Sequence, residues 1–308
     1  MTGQRLPASG PIAAWRTFWF QDVPPHSLAL LRIALGGLGA ISVLTLTPVE
    51  GFWSTQGLAP VPGGGLGIRR AIADSGFDLA VAWGLFLASL LAFTAAALGY
   101  RTATSVVAAF AASVGMTYWN PLPLNGGHYV SAGLLFLLMW TGSGEVLSVD
   151  AWLRRRSGDP GRGRVQPIWP LRLMRFQIAV IYLNSGLGKL YHPAWRDGSA
   201  LHYVLHLNTF ARFPQTLPPE WDWVATAGTY VTLVWEVAFP FLLFQRLTRR
   251  LALLLGVLLH LGMALTMEVG LFSWVMLAGY IAFLDPYAVA RRFTNYFASP
   301  PNRSSNPL

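Results

Sequence analysis

Arg175-Phe-Gln-Ile-Ala-Val-Ile-Tyr-Leu-Asn-Ser-Gly-Leu-Gly-Lys189 reads as a membrane-crossing helix with one ammonium at its outer end. Burial penalises a charged side chain, so a lysine at that depth either finds a counter-ion or gives up its proton and becomes a base. The rest of the chain is equally apolar. Of its 308 residues 54% are hydrophobic and 11% charged, with a mean hydropathy of +0.45, which excludes an ordinary soluble domain. Runs able to cross about 30 Å of hydrocarbon, roughly 17 to 25 helical residues each, fall near 27–47, 79–99, 102–119, 128–147, 171–191, 223–244, 251–267 and 269–284. The 43 residues between Arg101 and Glu145 contain no Lys, Arg, Asp or Glu, and Asn120-Pro-Leu-Pro-Leu-Asn-Gly-Gly127 divides them into two helices. Barrel strands would alternate polar and apolar residues, and these runs do not. The expected fold is all-α: a polytopic transmembrane helix bundle of about eight spans.

Charge sets the orientation. The net charge is +9, and with eight spans 15 of the 22 Lys and Arg fall on the side shared by the N-terminus, Arg101, the 154–172 loop, the 246–250 loop and the C-terminal tail. Arg69, Arg70, Arg196 and Arg212 lie on the other side, and Arg32, Arg175 and Lys189 lie inside spans. The positive-inside rule then makes both termini cytoplasmic, in a multi-pass protein of the cell inner membrane. It also turns the basic balance into an orientation signal rather than a nucleic-acid patch. Met1–Gly10 lacks the pattern of a cleavable signal, so the first span is expected to be retained. There is no cysteine, which excludes disulfides and thiolate chemistry. Three regions are expected: an N-terminal interfacial segment over 1–26 built on Trp15-Arg-Thr-Phe-Trp-Phe20, a transmembrane domain over 27–286, and a cytoplasmic tail over 287–308 that is polar from Ser299. Loop 48–77, with Pro60, Pro62 and Gly63-Gly-Gly65, is expected to be irregular and external, and loop 150–170 a cytoplasmic linker. Segment 192–222, rich in aromatics and histidine, is expected to cap the outer face.

The titratable residues of the spans fall into two sets. Tyr182, Gly186 and Lys189 share one helix face, and Ser185, Gly186 and Gly188 thin that helix so that another backbone or a flat ligand can approach. His128 opens the fourth span and His260 lies midway along the seventh, so both are expected near Lys189 in the outer half, where imidazoles beside a neutral amine exchange protons near neutral pH. Arg32, Glu236 and Arg175 lie deeper, and Glu236 is expected to form a buried ion pair with one of the two arginines. No metal is expected: His202 and His206 are spaced i, i+4, with no carboxylate to complete a triad.

Several segments in order carry a family resemblance: Ser27-Leu-Ala-Leu-Leu-Arg32, Leu98-Gly-Tyr-Arg-Thr102, Asn125-Gly-Gly-His-Tyr129, Leu147-Ser-Val-Asp-Ala-Trp152, Ser185-Gly-x-Gly-Lys189, Trp195-x-Asp-Gly198 and Leu271-Phe-Ser-Trp-Val-Met276. Over roughly residues 11–286 the chain resembles the horizontally transferred transmembrane (HTTM) domain, the membrane part of vitamin K-dependent gamma-carboxylase, found also in bacterial proteins such as sporulation delaying protein B. The resemblance implies that Lys189 is the base that deprotonates a reduced, vitamin K-type quinone, in a quinol-epoxidising reaction that drives carboxylation, with His260 and His128 at or near the site. It makes Tyr182, Trp195, Gly198 and Phe272 the expected pocket residues, and membrane lipid, quinone and a secreted peptide or protein the expected partners. No counterpart of the carboxylase's large lumenal domain is expected after Pro286. A non-enzymatic role in maturing or exporting a secreted peptide is the alternative that the resemblance also allows.

Overall fold

The computed structural model describes residues 10–58, 67–158, 165–213 and 218–297. Helices dominate: α1 (Pro11–Phe20), α2 (His26–Thr45), α3 (Val49–Phe52), α4 (Gly67–Asp74), α5 (Asp78–Leu98), α6 (Thr102–Trp119), α7 (Gly126–Leu138) and α8 (Val149–Arg156) form the first half. The second half holds α9 (Trp169–Leu190), α10 (Pro193–Arg196), α11 (Ala200–His206), α12 (Asp222–Leu242), α13 (Arg246–Thr266), α14 (Phe272–Gly279) with a 3-10 turn over Tyr280–Phe283, and α15 (Pro286–Phe297). The one sheet among the described residues pairs Asp22–Val23 with Gln166–Pro167 antiparallel, tying the entry to α2 to the entry to α9.

By length and composition, four helical segments suffice to cross a membrane: His26–Thr45, Asp78–Leu98, Pro219–Leu242 and Arg246–Thr266. A bent pair, Phe272–Phe283 with Pro286–Phe293, makes up to five, the two parts meeting at 94° where Pro286 follows Asp285. The other expected spans are also helical, but α7 has only 13 residues and α9 carries Arg172, Arg175 and Lys189. The fourth was expected to run to residue 147. It stops at Leu138, and Ser143 and Leu147 beyond it turn their carbonyls to Arg32. Helices also interrupt two expected loops: α3 and α4 lie within 48–77, and α8 runs from Val149 into 150–170. The Pro60–Gly65 stretch and the tail from Ser299 lie outside the described residues.

The bundle turns apolar side chains both inward and outward. Leu28, Leu31, Leu35, Leu134, Met174 and Phe239 are fully buried, whereas Leu254, Leu258 and Leu265 of α13 are 57%, 58% and 68% exposed along one face. A face of exposed leucines on a 21-residue helix is what a lipid-facing surface requires and what a soluble monomer avoids. In the second half α9 and α12 run antiparallel: Tyr182 packs on Trp235 and Phe239, Gly186 meets Glu236 and Val237, and Gly198, just beyond α10, meets Thr226 and Tyr230.

Three of the segments that carry the resemblance meet at one end of the first half. Helix α5 ends on Gly99, whose φ of 68° only glycine adopts without strain, and the reversal is closed by Gly99 N–H to Ala96 O and Tyr100 N–H to Ala95 O. Arg32 is completely buried there, donating to the carbonyls of Ala96 (2.6 Å), Ala97 (2.7 Å), Ser143 (3.2 Å) and Leu147 (2.5 Å). The guanidinium thus occupies the negative end of α5 and satisfies carbonyls that the helix leaves open. Asp150, from the first turn of α8, caps the neighbouring helix α6 from a distance. It accepts from the N–H groups of Arg101 (2.8 Å) and Thr102 (2.7 Å) and from the Thr102 hydroxyl (2.7 Å).

Partial burial pushes the Asp150 carboxyl up, but the hydrogen bonds from Thr102 and Arg101 and the charge of Arg154 outweigh it and hold the group below its ordinary value. The folded state therefore binds this proton less tightly than the unfolded chain. The stabilisation is complete above the unfolded carboxylate pKa of about 3.9 and is lost as pH falls through the lower folded value. Asp150→Asn is expected to lose about 1 kcal/mol at neutral pH, the usual worth of a helix cap, and to flatten the acid limb below about pH 4. Thermal melts in detergent across that pH range check both, and identical acid limbs for the two proteins would contradict the cap.

Candidate functional site

Lys189 lies on the last turn of α9, and helical side chains lean toward their own N-terminus. Its stem runs back along the helix, so that Nζ donates to Ser185 Oγ at 2.6 Å and to Glu236 Oε2 of α12 at 2.6 Å. Gly186 makes this approach possible: a Cβ there would stand 2.9 Å from the backbone N of Val237 and 3.0 Å from Glu236 Cβ. The Trp195 ring of α10 covers the ammonium at 5.0 Å from its centroid. The side chains of Lys189 and Glu236 are 20% and 10% exposed, so the pair is largely withdrawn from its surroundings, with the lysine the more accessible partner.

This arrangement corrects the expected pairing of Glu236 with Arg32 or Arg175. Arg32 is committed to four carbonyls, and Arg175 donates its Nε to Ala282 O at 2.7 Å. Reading depth from the Cα position placed Lys189 too far out. Its long stem brings the charge a helical turn deeper, level with Glu236.

One turn before Ser185 on α9, Tyr182 is 3% exposed and its hydroxyl bridges His260 Nε2 (2.6 Å) and the Tyr280 hydroxyl (2.7 Å). Trp235 and Phe239 enclose the Tyr182 ring, at 4.6 and 4.5 Å between centroids. Trp235 is itself fixed by its indole N–H to Ala252 O of α13 at 3.0 Å. His260 Nδ1 is buried with no hydrogen-bond partner among the described residues, and Phe272 stands edge-on to the imidazole at 5.9 Å. Tyr182, His260 and Tyr280 form a continuous hydrogen-bonded chain across α9, α13 and the turn after α14.

His128 is engaged elsewhere. Its Nδ1 accepts the Asn125 N–H at 3.1 Å while Asn125 Oδ1 accepts from Gly127, closing a capping box at the start of α7. An acceptor Nδ1 leaves the proton on Nε2, which donates to Ser42 Oγ of α2 at 2.8 Å. Phe272 separates this histidine from His260, with its ring against Gly126 and its backbone against Gly127. A cavity of about 20 Å³ beside His128 has room for one water. Gly198, with φ of 86°, turns α10 into α11 and packs on Thr226 and Tyr230, a position set by chain reversal. His202 and His206 stack at 4.3 Å, and His202 Nδ1 lies 2.8 Å from Asp222 Oδ1. No group of three or more possible metal ligands occurs among the described residues.

The structure thus brings together Lys189, Glu236 and Trp195 above Tyr182, His260 and Phe272, and leaves His128, Gly198, Arg32 and Arg175 apart. Tyr280, Trp235 and Ser185 complete the site. Ser185 was legible as the residue four before Lys189, but nothing in sequence separates Tyr280 from an ordinary interfacial tyrosine.

A family model described as the HTTM domain matches residues 77–287. Among curated proteins, the sporulation-delaying protein SdpB of Bacillus subtilis (strain 168) is 24% identical over 193 residues, 59% of this chain and 57% of SdpB. The uncharacterized protein YitO of the same organism is 27% identical over 176 residues, 56% of this chain and 57% of YitO. Each match spans somewhat more than half the relative's length. No solved structure matches.

Proposed function

The chain belongs to the HTTM domain family, and from that membership and the geometry around Lys189 we propose that it is a multi-pass protein of the inner membrane that carries out proton-transfer chemistry on a reduced quinone. The observation that carries this is the Lys189–Glu236 pair at 2.6 Å, set beneath Trp195 and one turn from the Tyr182–His260–Tyr280 chain. Structural neutralisation of one charge does not need a buried hydrogen-bonded chain of three ionisable side chains at its side.

The residues fit a quinone: the more accessible lysine head and the Trp195 ring offer hydrogen bonding beside a flat aromatic surface. When bound, a reduced quinone would supply an acidic hydroxyl and two reducing equivalents, with oxygen as the oxidant that accepts them. The chain supplies the acceptor for that proton. Transfer of one Nζ proton across the 2.6 Å contact to Glu236 Oε2 would leave a neutral amine as the acceptor. The amine then takes the hydroxyl proton and becomes an ammonium again, so the net movement is from the hydroxyl to Glu236. His260 and Tyr182, hydrogen-bonded to each other and through Tyr182 to Tyr280, orient the lower wall.

Protein purified in mild detergent is expected to retain quinone, detected by redox spectroscopy of the solvent extract, and Trp195→Ala to retain several-fold less. Preparations that neither contain nor take up quinone move the assignment to the second reading, a non-enzymatic helper in maturation or export of a secreted peptide. The similarity to SdpB and the complete mutual neutralisation of Lys189 and Glu236 favour that alternative.

A further inference from the structure

A second polar site lies at the other end of α9. Where the entries to α2 and α9, the α12–α13 turn and the start of α15 converge, a cavity of about 630 Å³ is lined by Arg172, Arg175, Arg246, Arg249 and Arg250, with Asp285 as its one carboxylate. None of the five arginines has a carboxylate within salt-bridge distance among the described residues. Asp285 Oδ1 is already occupied by the Tyr287 N–H at 3.0 Å. The guanidinium of Arg172 lies over the Phe18 ring at 3.7 Å, with a buried Nε that has no hydrogen-bond partner among the described residues, and Arg175 uses its Nε on Ala282 O at 2.7 Å. Five forked donors facing one cavity repel each other until an anion with several acceptor oxygens enters.

Two apolar clefts open from the same place. One, of about 430 Å³, shares Arg172, Arg175 and Phe244 with the basic cavity and continues along Phe176, Val180 and Leu183. The other, of about 690 Å³, shares Leu284 and Asp285 and continues along Ala288, Val289 and Phe293 of α15. Orienting a membrane protein by positive charge needs arginines on one side, but neither a cavity nor flanking clefts.

We propose that this cavity binds the phosphate of an anionic phospholipid, with the acyl chains lying in the two clefts. The clefts are what select a lipid over a free phosphate. The proposal rests on the membrane placement argued above and is independent of any chemistry at Lys189.

The test uses the full-length protein in neutral detergent, with thermal stabilisation and native mass spectrometry reading the retention of phosphatidylglycerol, phosphatidylcholine and inorganic phosphate. Wild-type protein is expected to retain and be stabilised by phosphatidylglycerol over phosphatidylcholine. Arg246→Gln/Arg249→Gln is expected to weaken that retention by on the order of tenfold, while Arg155→Gln/Arg156→Gln on α8, which removes the same charge elsewhere, leaves it unchanged. If the double pocket variant does not fold, Arg250→Gln gives the same comparison against Arg155→Gln. Equal losses in pocket and control variants overturn the proposal, as does inorganic phosphate stabilising as well as the lipid. The readout requires no turnover, so it fails or succeeds separately from the quinone reading.

Discussion

Glu236→Ala is expected to destabilise the protein by about 3 to 5 kcal/mol, because it strands the Lys189 ammonium where 20% of its side chain is exposed. Lys189→Ala should cost a similar amount for the mirror-image reason, leaving a carboxylate that is 10% exposed without its counter-ion. Reading the lysine as a lone buried charge leads to the opposite expectation, that its removal relieves a cost, and the 2.6 Å contact to Glu236 overturns that. Lys189→Met combined with Glu236→Leu should recover most of the loss, since a buried pair replaced by apolar residues of similar volume is often neutral or better. Unfolding in mixed micelles, followed by tryptophan fluorescence, measures all four proteins. A double variant no more stable than Glu236→Ala removes the pair from the account.

How much of this was legible in the sequence depended on how far each side chain reaches. Helix positions followed from apolar runs broken by Pro, Gly and Asn: the Asn120–Gly127 break falls between α6 and α7 where the sequence placed it. The shared face of Tyr182, Gly186 and Lys189 followed from helical periodicity, and the structure uses it to form one wall against α12. Partners of the charges were not legible. Arg32 and Glu236 each lack a neighbour of opposite charge in sequence, and pairing them by depth treated a side chain as if it ended at its Cα. Arg32 finds helix-end carbonyls, which leave no mark in a sequence beyond the Gly99 that ends α5. His128 was read as a proton-transfer residue because imidazole titrates near neutrality, yet the Asn125-Gly-Gly-His128 spacing also describes a cap, and the cap is what forms.

Arg32→Met is expected to be the most damaging single change outside the site, at about 4 kcal/mol or more. It removes a fully buried cation and leaves the carbonyls of Ala96, Ala97, Ser143 and Leu147 without their donor. Arg32→Lys should rescue little, because one compact ammonium cannot span four oxygens that a planar fork reaches together. The effect should spread to α6, whose cap Asp150 sits three residues beyond Leu147. Yield of folded protein and the melting midpoint in detergent read the result, and an Arg32→Lys protein as stable as wild type would show that charge alone, rather than the fork, holds this end of the bundle.

The central claim is that Lys189 gives up and takes a proton at its amine, and oxygen uptake on addition of a reduced quinone tests it most directly, comparing wild type with Lys189→Arg. Arginine keeps the charge against Glu236 and so preserves the fold, but its guanidinium does not deprotonate. The account predicts uptake by the wild-type protein and a rate lower by about 10² to 10⁴ in Lys189→Arg, the usual contribution of a positioned acid–base group. Equal uptake by the two proteins, or none by wild type, would contradict it.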